Sequence, residues 1–121
     1  MPANFHQSGL EIEQVGDVTV VTFTADTILD EMMIQKIGDE LYALLEKSDR
    51  PKLLLNFSRV NYLSSAMLAK LFGLLKKTDA AGGRVAFCLI DPALYEIFRV
   101  THMDRMLSIY RDEQEAIQSF Q

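Results

Sequence analysis

The sequence predicts an α/β domain in which helices pack on one layer of β-sheet. Residues 52–57 and 84–90 are short apolar runs without alternation, which is typical of strands buried on both faces of a sheet. Segments with helical spacing follow both runs, so strands and helices alternate along the chain. The length of 121 residues predicts one domain, residues 1–121, with a single core.

A β-hairpin is expected near the start of the chain. Residues 10–13 alternate apolar and acidic side chains, as a half-exposed strand does. Gly16-Asp17 has turn chemistry, and residues 18–23 are rich in β-branched side chains. Two adjacent strands joined by this turn would form the hairpin.

Two long helices are predicted from apolar spacing and from their ends. The first begins near Asp30 and ends before Pro51, because proline cannot continue helical hydrogen bonding. The second follows the serine pair Ser64-Ser65. The apolar positions assigned to these helices are Met33, Ile37, Leu41, Leu44 and Leu45 in the first, and Leu68, Leu71, Phe72 and Leu75 in the second.

The C-terminal third is predicted to contain a helix, a turn, an edge strand and a last helix. Asp91-Pro92 opens the first of these helices, with an N-cap aspartate and a proline at the first helical position. Residues 101–105 have the character of a turn, and residues 108–110 suit a short edge strand. Asp112 is positioned to cap the last helix.

Composition disfavours several classes of partner. The net charge of −5 and the pI of about 4.9 disfavour nucleic acids and anionic lipid surfaces as binding partners. A protein with a basic surface would be a more favourable partner. No apolar segment approaches the roughly 20 residues that span a bilayer, and the N-terminus lacks a signal-peptide pattern. The sequence therefore predicts a cytoplasmic protein without membrane insertion.

Neither a metal nor a cofactor is expected. Cys88 is the only cysteine, so a cysteine metal cage is excluded, and its apolar run predicts a buried, inert thiol. Glycine-rich nucleotide-binding motifs and zinc-binding histidine motifs are absent from the sequence.

Catalytic motifs are also missing. The two histidines, His6 and His102, lie in no recognisable motif, and Ser64-Ser65 lacks the flanking glycines of a nucleophile elbow. A receiver domain would have an acceptor aspartate at the end of its central strand, where this chain has Asn56. The sequence therefore predicts that the protein is not an enzyme.

The serine pair is the remaining candidate for a functional site. Serine is a favoured N-cap because its hydroxyl accepts a hydrogen bond from the first turn of the helix. Capping needs one serine, so the pair is compatible with a helix cap alone and with a functional site.

The chain resembles the STAS domain family (sulphate transporter and anti-sigma factor antagonist), particularly its stand-alone bacterial antagonists. The resemblance runs from about Leu10 to Phe120 and is clearest over residues 54–66, Leu-Leu-Asn-Phe-Ser-Arg-Val-Asn-Tyr-Leu-Ser-Ser-Ala. Gly82-Gly83-Arg84-Val85 entering a strand and Asp91-Pro92 opening a helix support it. The resemblance implies a small mixed sheet with helices mainly on one face.

The resemblance also implies a regulatory site. In this family an anti-sigma factor, often also a serine kinase, binds around the junction; phosphorylation there abolishes binding and a phosphatase restores it. Ser65 matches the phosphoacceptor, whereas Ser64 stands where the family usually has aspartate and Met67 where it usually has glycine. The implied partner-binding residues are Tyr62, Leu63, Ser64, Ser65 and Met67. The departures leave three interpretations open: Ser65 is modified, Ser64 is modified in its place, or the site only binds.

Two further hypotheses remain. The first is that the protein is a constitutive scaffold or accessory subunit, for example of a signalling complex or a lipid-transport ATPase, which would need no phosphorylation. The second, that the protein is an enzyme, has the weakest support. The sequence leaves the oligomeric state undecided, although exposed apolar residues around Leu10, Ile12 and Val18 would suit a weak homodimer interface.

Overall fold

The computed structural model of the protein describes residues 9–121, which form a mixed β-sheet with four helices. The predicted α/β class is confirmed. In chain order the elements are β1 (Leu10–Val15), β2 (Val18–Phe23), β3 (Thr27–Ile28), α1 (Glu31–Leu45), β4 (Lys52–Asn56), β5 (Tyr62–Leu63), α2 (Ser65–Ala80), β6 (Arg84–Cys88), α3 (Pro92–Val100), a 3-10 turn (Met103–Arg105), β7 (Ser108–Tyr110) and α4 (Glu113–Gln118).

Five strands form the main sheet in the order β1-β2-β4-β6-β7. The predicted hairpin is confirmed, since β1 and β2 pair antiparallel from Leu10↔Phe23 to Val15↔Val18. The strands β2, β4, β6 and β7 run parallel to one another. The central strand β4 is therefore buried on both faces, which explains its unbroken apolar run.

Helices lie mainly on one face of the sheet, as the resemblance implied. Side chains from α1, α2 and α3 pack in one apolar cluster with alternate sheet residues such as Leu53, Leu55 and Phe87. The intervening residues, among them Leu54 and Ala86, face a second, smaller cluster that α4 covers. The C-terminal helix therefore lies on the opposite face from the other three.

The two long helices are confirmed. The predicted apolar face of α1 packs on the core, whereas the buried face of α2 is shifted from its predicted position. In α1 the buried residues include Ile34, whereas Met33 is only partly buried. In α2 Met67 and Leu74 are buried, Leu68 is partly buried and Phe72 is 42% exposed. Leu71 and Leu75 are in the core as predicted.

Two short strands were not predicted. β3 and β5 have two residues each and pair parallel, Thr27 with Tyr62 and Ile28 with Leu63, in a separate small sheet. A pattern of alternation needs at least four residues to be visible, so the sequence gives no signal for such elements.

The apolar side chains assigned to a homodimer surface are mostly in the core. Leu10 is 1% exposed and Val18 is 2% exposed, while Ile12 is partly buried against the larger cluster. The prediction that these residues are exposed is therefore wrong, because both strands of the hairpin bury one face beneath neighbouring elements.

Candidate functional site

The serine pair lies where the small strand β5 leads into α2, beyond the carboxyl end of β4. The backbone N–H of Ser64 donates to the carbonyl of Ile28 at 3.0 Å, which continues the pairing of β5 with β3. The Ser64 hydroxyl accepts a hydrogen bond from the backbone N–H of Met67 at 3.2 Å. Ser64 is therefore the N-cap of α2, with extended backbone angles and a neutral capping group.

Ser65 is the first residue of α2 and its side chain is exposed. Within residues 9–121 its hydroxyl has no hydrogen-bond partner, whereas the Ser64 hydroxyl is engaged in capping. The two adjacent serines thus have different environments: one is partly buried and structural, and the other is free toward solvent.

The loop before the serine pair is held by the backbone next to β3. The N–H groups of Asn61 and Tyr62 both donate to the carbonyl of Asp26, at 2.7 and 3.2 Å. In the small sheet Ile28 and Leu63 point inward, and Thr27 and Tyr62 point outward. Tyr62 is therefore exposed three residues before Ser65, which begins α2.

Two of the residues assigned to the partner-binding surface are in the core. Leu63 is 3% exposed and Met67 is 0% exposed, and both belong to the larger apolar cluster. Their side chains support the junction from beneath and do not meet a partner in this conformation. The assignment is therefore corrected for these two residues, which leaves Tyr62, Ser64 and Ser65 at the surface.

Exposed apolar side chains also lie just before α1 and in its first turn, next to β3, which pairs with β5; they were not predicted as site residues. Leu29, which follows Ile28, is 56% exposed, and Met32 in the first turn of α1 is 68% exposed. Tyr62 is 49% exposed on the adjacent strand. These three residues together with Ser64 and Ser65 are called the junction surface below. The sequence does contain a sign of this surface, because Leu29 and Met32 are large apolar residues that lie outside the apolar stripe of α1.

The junction surface includes the N-terminal ends of two helices. Asp30 caps α1 by accepting from the N–H of Met33 at 2.9 Å, and Ser64 caps α2. Helix N-termini carry partial positive charge, which favours negative groups nearby. Because the cap of α2 is neutral, that helix end can still interact favourably with an added negative charge.

The other candidate groups are not brought to the junction. Cys88 is fully buried, as predicted, and burial is the first cause that raises the pKa of its thiol to about 12, followed by the charges of Glu113 and Asp112. His102 lies past the far end of α3 in a left-handed backbone conformation, with φ of 65°. His6 lies outside the described residues.

Among residues 9–121, none of the helices has the length and apolar character that a membrane span requires. Over that range the acidic, histidine and cysteine side chains form no group of three or more that could hold a metal ion.

Comparisons with known proteins agree on one family. The family model of the STAS domain matches residues 9–116. An anti-sigma factor antagonist (STAS) domain protein from Planctomyces limnophilus is 24% identical, with a TM-score of 0.82 over 91% of this chain and 96% of that one. A putative anti-sigma factor antagonist from Thermotoga maritima is 22% identical, with a TM-score of 0.79 over 95% and 97% of the two chains. The Bacillus cell fate determinant SpoIIAA in its phosphorylated form is 17% identical, with a TM-score of 0.75 over 93% and 99%.

Proposed function

The chain belongs to the STAS domain family, and from that membership we propose that it is a bacterial, cytoplasmic anti-sigma factor antagonist controlled by phosphorylation of Ser65. In this proposal the unphosphorylated protein binds an anti-sigma factor that has serine-kinase activity. Binding frees the sigma factor and so regulates transcription. The protein itself is a kinase substrate rather than an enzyme.

The difference between the two serine hydroxyls is the observation that carries the proposal. Ser65 is exposed and its hydroxyl has no partner within residues 9–121, so a kinase can reach it without disturbing the fold. The Ser64 hydroxyl is occupied by the N–H of Met67. Ser65 is therefore favoured over Ser64 as the acceptor. The structural similarity to a Bacillus protein that exists in a phosphorylated form supports control by phosphorylation in general.

The position of Ser65 suits a modification that changes one surface and leaves the fold intact. A phosphoserine adds roughly −1.5 to −2 charges near neutral pH. At the N-terminus of α2 these charges are stabilised by the helix dipole. A partner docked there would have to bury a hydrated dianion. A loss of about 3–4 kcal/mol would weaken its binding by two to three orders of magnitude.

The surroundings of Ser65 also favour a protein partner. Leu29, Met32 and Tyr62 provide exposed apolar area beside it, as the centre of a protein interface requires. The net charge of −5 favours a partner with a basic surface. A serine phosphatase would remove the phosphate and restore the binding surface.

Mapping the phosphorylated residue tests the proposal. The protein would be incubated with ATP and its cognate serine kinase, and the phosphorylated residue located by peptide mass spectrometry. We expect one phosphate, on Ser65, lost in Ser65→Ala and retained in the matched control Ser64→Ala. Phosphate on Ser64 would move the acceptor by one residue, and no phosphate on either would contradict the proposal.

A constitutive scaffold or accessory subunit is the outcome that competes with this proposal. It predicts stable co-purification with a larger assembly that is insensitive to substitution of either serine. Comparing wild type with Ser65→Asp in such a pull-down therefore separates the two functions.

A further inference from the structure

Asn56 is a buried polar side chain at the end of the central strand. It is the last residue of β4 and is 7% exposed. Among residues 9–121 the only other buried polar residue is Thr78, whose hydroxyl bonds to the Leu74 carbonyl of its own helix. A buried amide is costly unless its donors and acceptor are paired. The partners of Asn56 therefore show what this side chain holds together.

Both ends of the Asn56 amide are paired, and each end bonds to a different segment. Its Nδ2 donates to Oε2 of Glu113 at 2.8 Å, in the first turn of α4. Its Oδ1 accepts from the backbone N–H of Ser58 at 2.8 Å, in the loop after β4. One side chain thus connects the C-terminal helix, on the far face of the sheet, to the loop that leads to the serine pair.

The electrostatic surroundings of Cys88 agree with this placement of α4. Cys88 pairs with Asn56 across the sheet, at the carboxyl end of β6. After burial, the charges of Glu113 and Asp112 are the causes that raise the pKa of its thiol. The acidic first turn of α4 therefore lies over the ends of β4 and β6, next to the Asn56 amide.

The loop between β4 and β5 is short, and few hydrogen bonds hold it. The Val60 N–H donates to the Phe57 carbonyl at 3.0 Å, which closes a turn. The Asp26 carbonyl holds the far end of the loop at Asn61 and Tyr62. The near end is anchored by the bond from Ser58 to Asn56 and by the Phe57 N–H, which donates to the Cys88 carbonyl at 3.0 Å. Loss of the Ser58 bond would therefore loosen the start of the segment that leads to Tyr62 and the serines.

We infer that Asn56 is a positioning residue for the junction surface: its bonds to Glu113 and Ser58 make the order of residues 58–64 depend on the docking of helix α4. A partner or modification that moves α4 would then change how Ser65 is presented. This consequence rests on the proposed function, whereas the coupling is a property of the isolated protein and is tested without any partner.

Exchanging the donor and the acceptor of one hydrogen bond tests the coupling. Asn56→Asp keeps an acceptor for the Ser58 N–H but sets two carboxylates against each other. Glu113→Gln alone keeps an acceptor for the Asn56 amide and serves as the matched control. In the double variant Asn56→Asp/Glu113→Gln the new carboxylate accepts from the new amide, so the bond returns with its direction reversed.

The readout is amide hydrogen exchange of the full chain, comparing residues 58–64 with the strand β6. Losing a hydrogen bond to a charged group should speed exchange of the loop by about ten-fold or more in Asn56→Asp, with β6 changed far less. Glu113→Gln and the double variant should exchange near the wild-type rate. If exchange became equally faster in the loop and in β6, the substitution would have destabilised the whole fold. If loop exchange in the double variant did not return to the wild-type rate, the loop would not depend on this specific hydrogen bond. Either result overturns the inference, as does an unchanged loop in Asn56→Asp.

A pH series of Asn56→Asp supplies a second readout that simple structural damage would not move. The charged and titratable groups around the new carboxyl are Glu113 and Asp112 on α4 and Cys88 on β6. The Cys88 thiol stays protonated, since its pKa is about 12. As the pH falls, one carboxyl of the facing pair is protonated and can donate to the other, so loop protection should recover toward wild type. A loop that stays unprotected at acidic pH, after correction for intrinsic exchange rates, contradicts the coupling.

The phosphorylation rate of Ser65 separates this inference from the proposed function. If the wild-type protein accepts phosphate on Ser65, the phosphorylation rates of Asn56→Asp and of the double variant should differ. The variant whose loop exchanges at an altered rate should also be the one whose phosphorylation rate is altered. If wild type accepts none, the proposed function fails, whereas the exchange experiment still decides the coupling.

Discussion

The hydroxyl of Ser64 accepts a hydrogen bond from the backbone N–H of Met67 at 3.2 Å, while the hydroxyl of the next residue, Ser65, is exposed to solvent. One serine therefore fixes the start of α2, and the other is presented by it. Because Met67 is itself buried, this cap is anchored in the core. The position of Ser65 thus depends on packing beneath it rather than on contacts of its own side chain.

Removing the cap should destabilise the protein more than removing the exposed hydroxyl. Ser64→Ala should lower the free energy of unfolding by about 1 kcal/mol, because the Met67 N–H loses its partner. Ser64→Asp should retain most of the stability, since aspartate caps as well as serine. Ser65→Ala is the matched control, and its effect should be within about 0.5 kcal/mol. Urea denaturation measures all three, and an equal loss in both alanine variants would contradict the capping role.

A charge placed on the apolar part of the junction surface should weaken partner binding without destabilising the fold. Met32 is 68% exposed, so Met32→Lys should change the free energy of unfolding by less than about 0.5 kcal/mol. If Met32 meets the partner in a desolvated contact, the same change should weaken binding by about ten-fold or more. Val100→Lys is the matched control, because Val100 is 58% exposed at the far end of α3. Isothermal titration calorimetry with the purified partner compares them, and equal affinities would remove Met32 from the interface.

Gly83 is required where the chain enters β6. A Cβ at this position would clash with the Pro51 carbonyl oxygen, which also accepts from the Arg84 N–H at 2.8 Å. Gly83→Ala should therefore cost about 3 kcal/mol or more. Gly16→Ala is the control: its φ is +62° but nothing lies within 4 Å, so only the backbone cost of about 1 kcal/mol is expected. Thermal unfolding ranks the two variants, and equal losses would show that the contact with Pro51 is relieved.

The buried thiol of Cys88 should make stability fall at alkaline pH. Its pKa is raised from 9.0 to about 12, mainly by burial. Between these pH values the unfolded chain loses the thiol proton and the folded chain keeps it, so the free energy of unfolding decreases as pH rises. Cys88→Ala lacks this contribution, and the difference between the two proteins isolates it from other groups. A constant difference in denaturation midpoint from pH 8 to 11 would contradict the raised pKa.

The buried strands and the order of elements could be predicted because their signals are local. The run at residues 52–57 shows burial on both faces, and Asp91-Pro92 carries the chemistry of a helix start. The rotation of α2 could not be predicted as easily. The helix carries apolar residues on more than one side, and only packing decides that Met67, in the first turn, is buried and that Phe72, further along, is exposed.

The place of the serine pair in the fold could be predicted, but the side chains around it could not. The serine pair marks a strand-to-helix junction, and the structure places it there. The family resemblance implied Leu63 and Met67 as partner-binding residues, but the fold buries both side chains in the core. Leu29 belongs to the junction surface through pairing of two-residue strands, which no sequence pattern reveals. The bond between Asn56 and Glu113 joins residues 57 positions apart and likewise depends on the fold.

The affinity of the partner for two forms of the protein tests the central claim most directly. The unphosphorylated protein and the same protein carrying phosphate on Ser65 would be titrated with the anti-sigma factor, with Ser65→Ala as a control that cannot be modified. We predict that phosphate weakens binding by two to three orders of magnitude, while Ser65→Ala binds like the unphosphorylated protein before and after kinase treatment. Equal affinities for the phosphorylated and unphosphorylated forms would contradict the account.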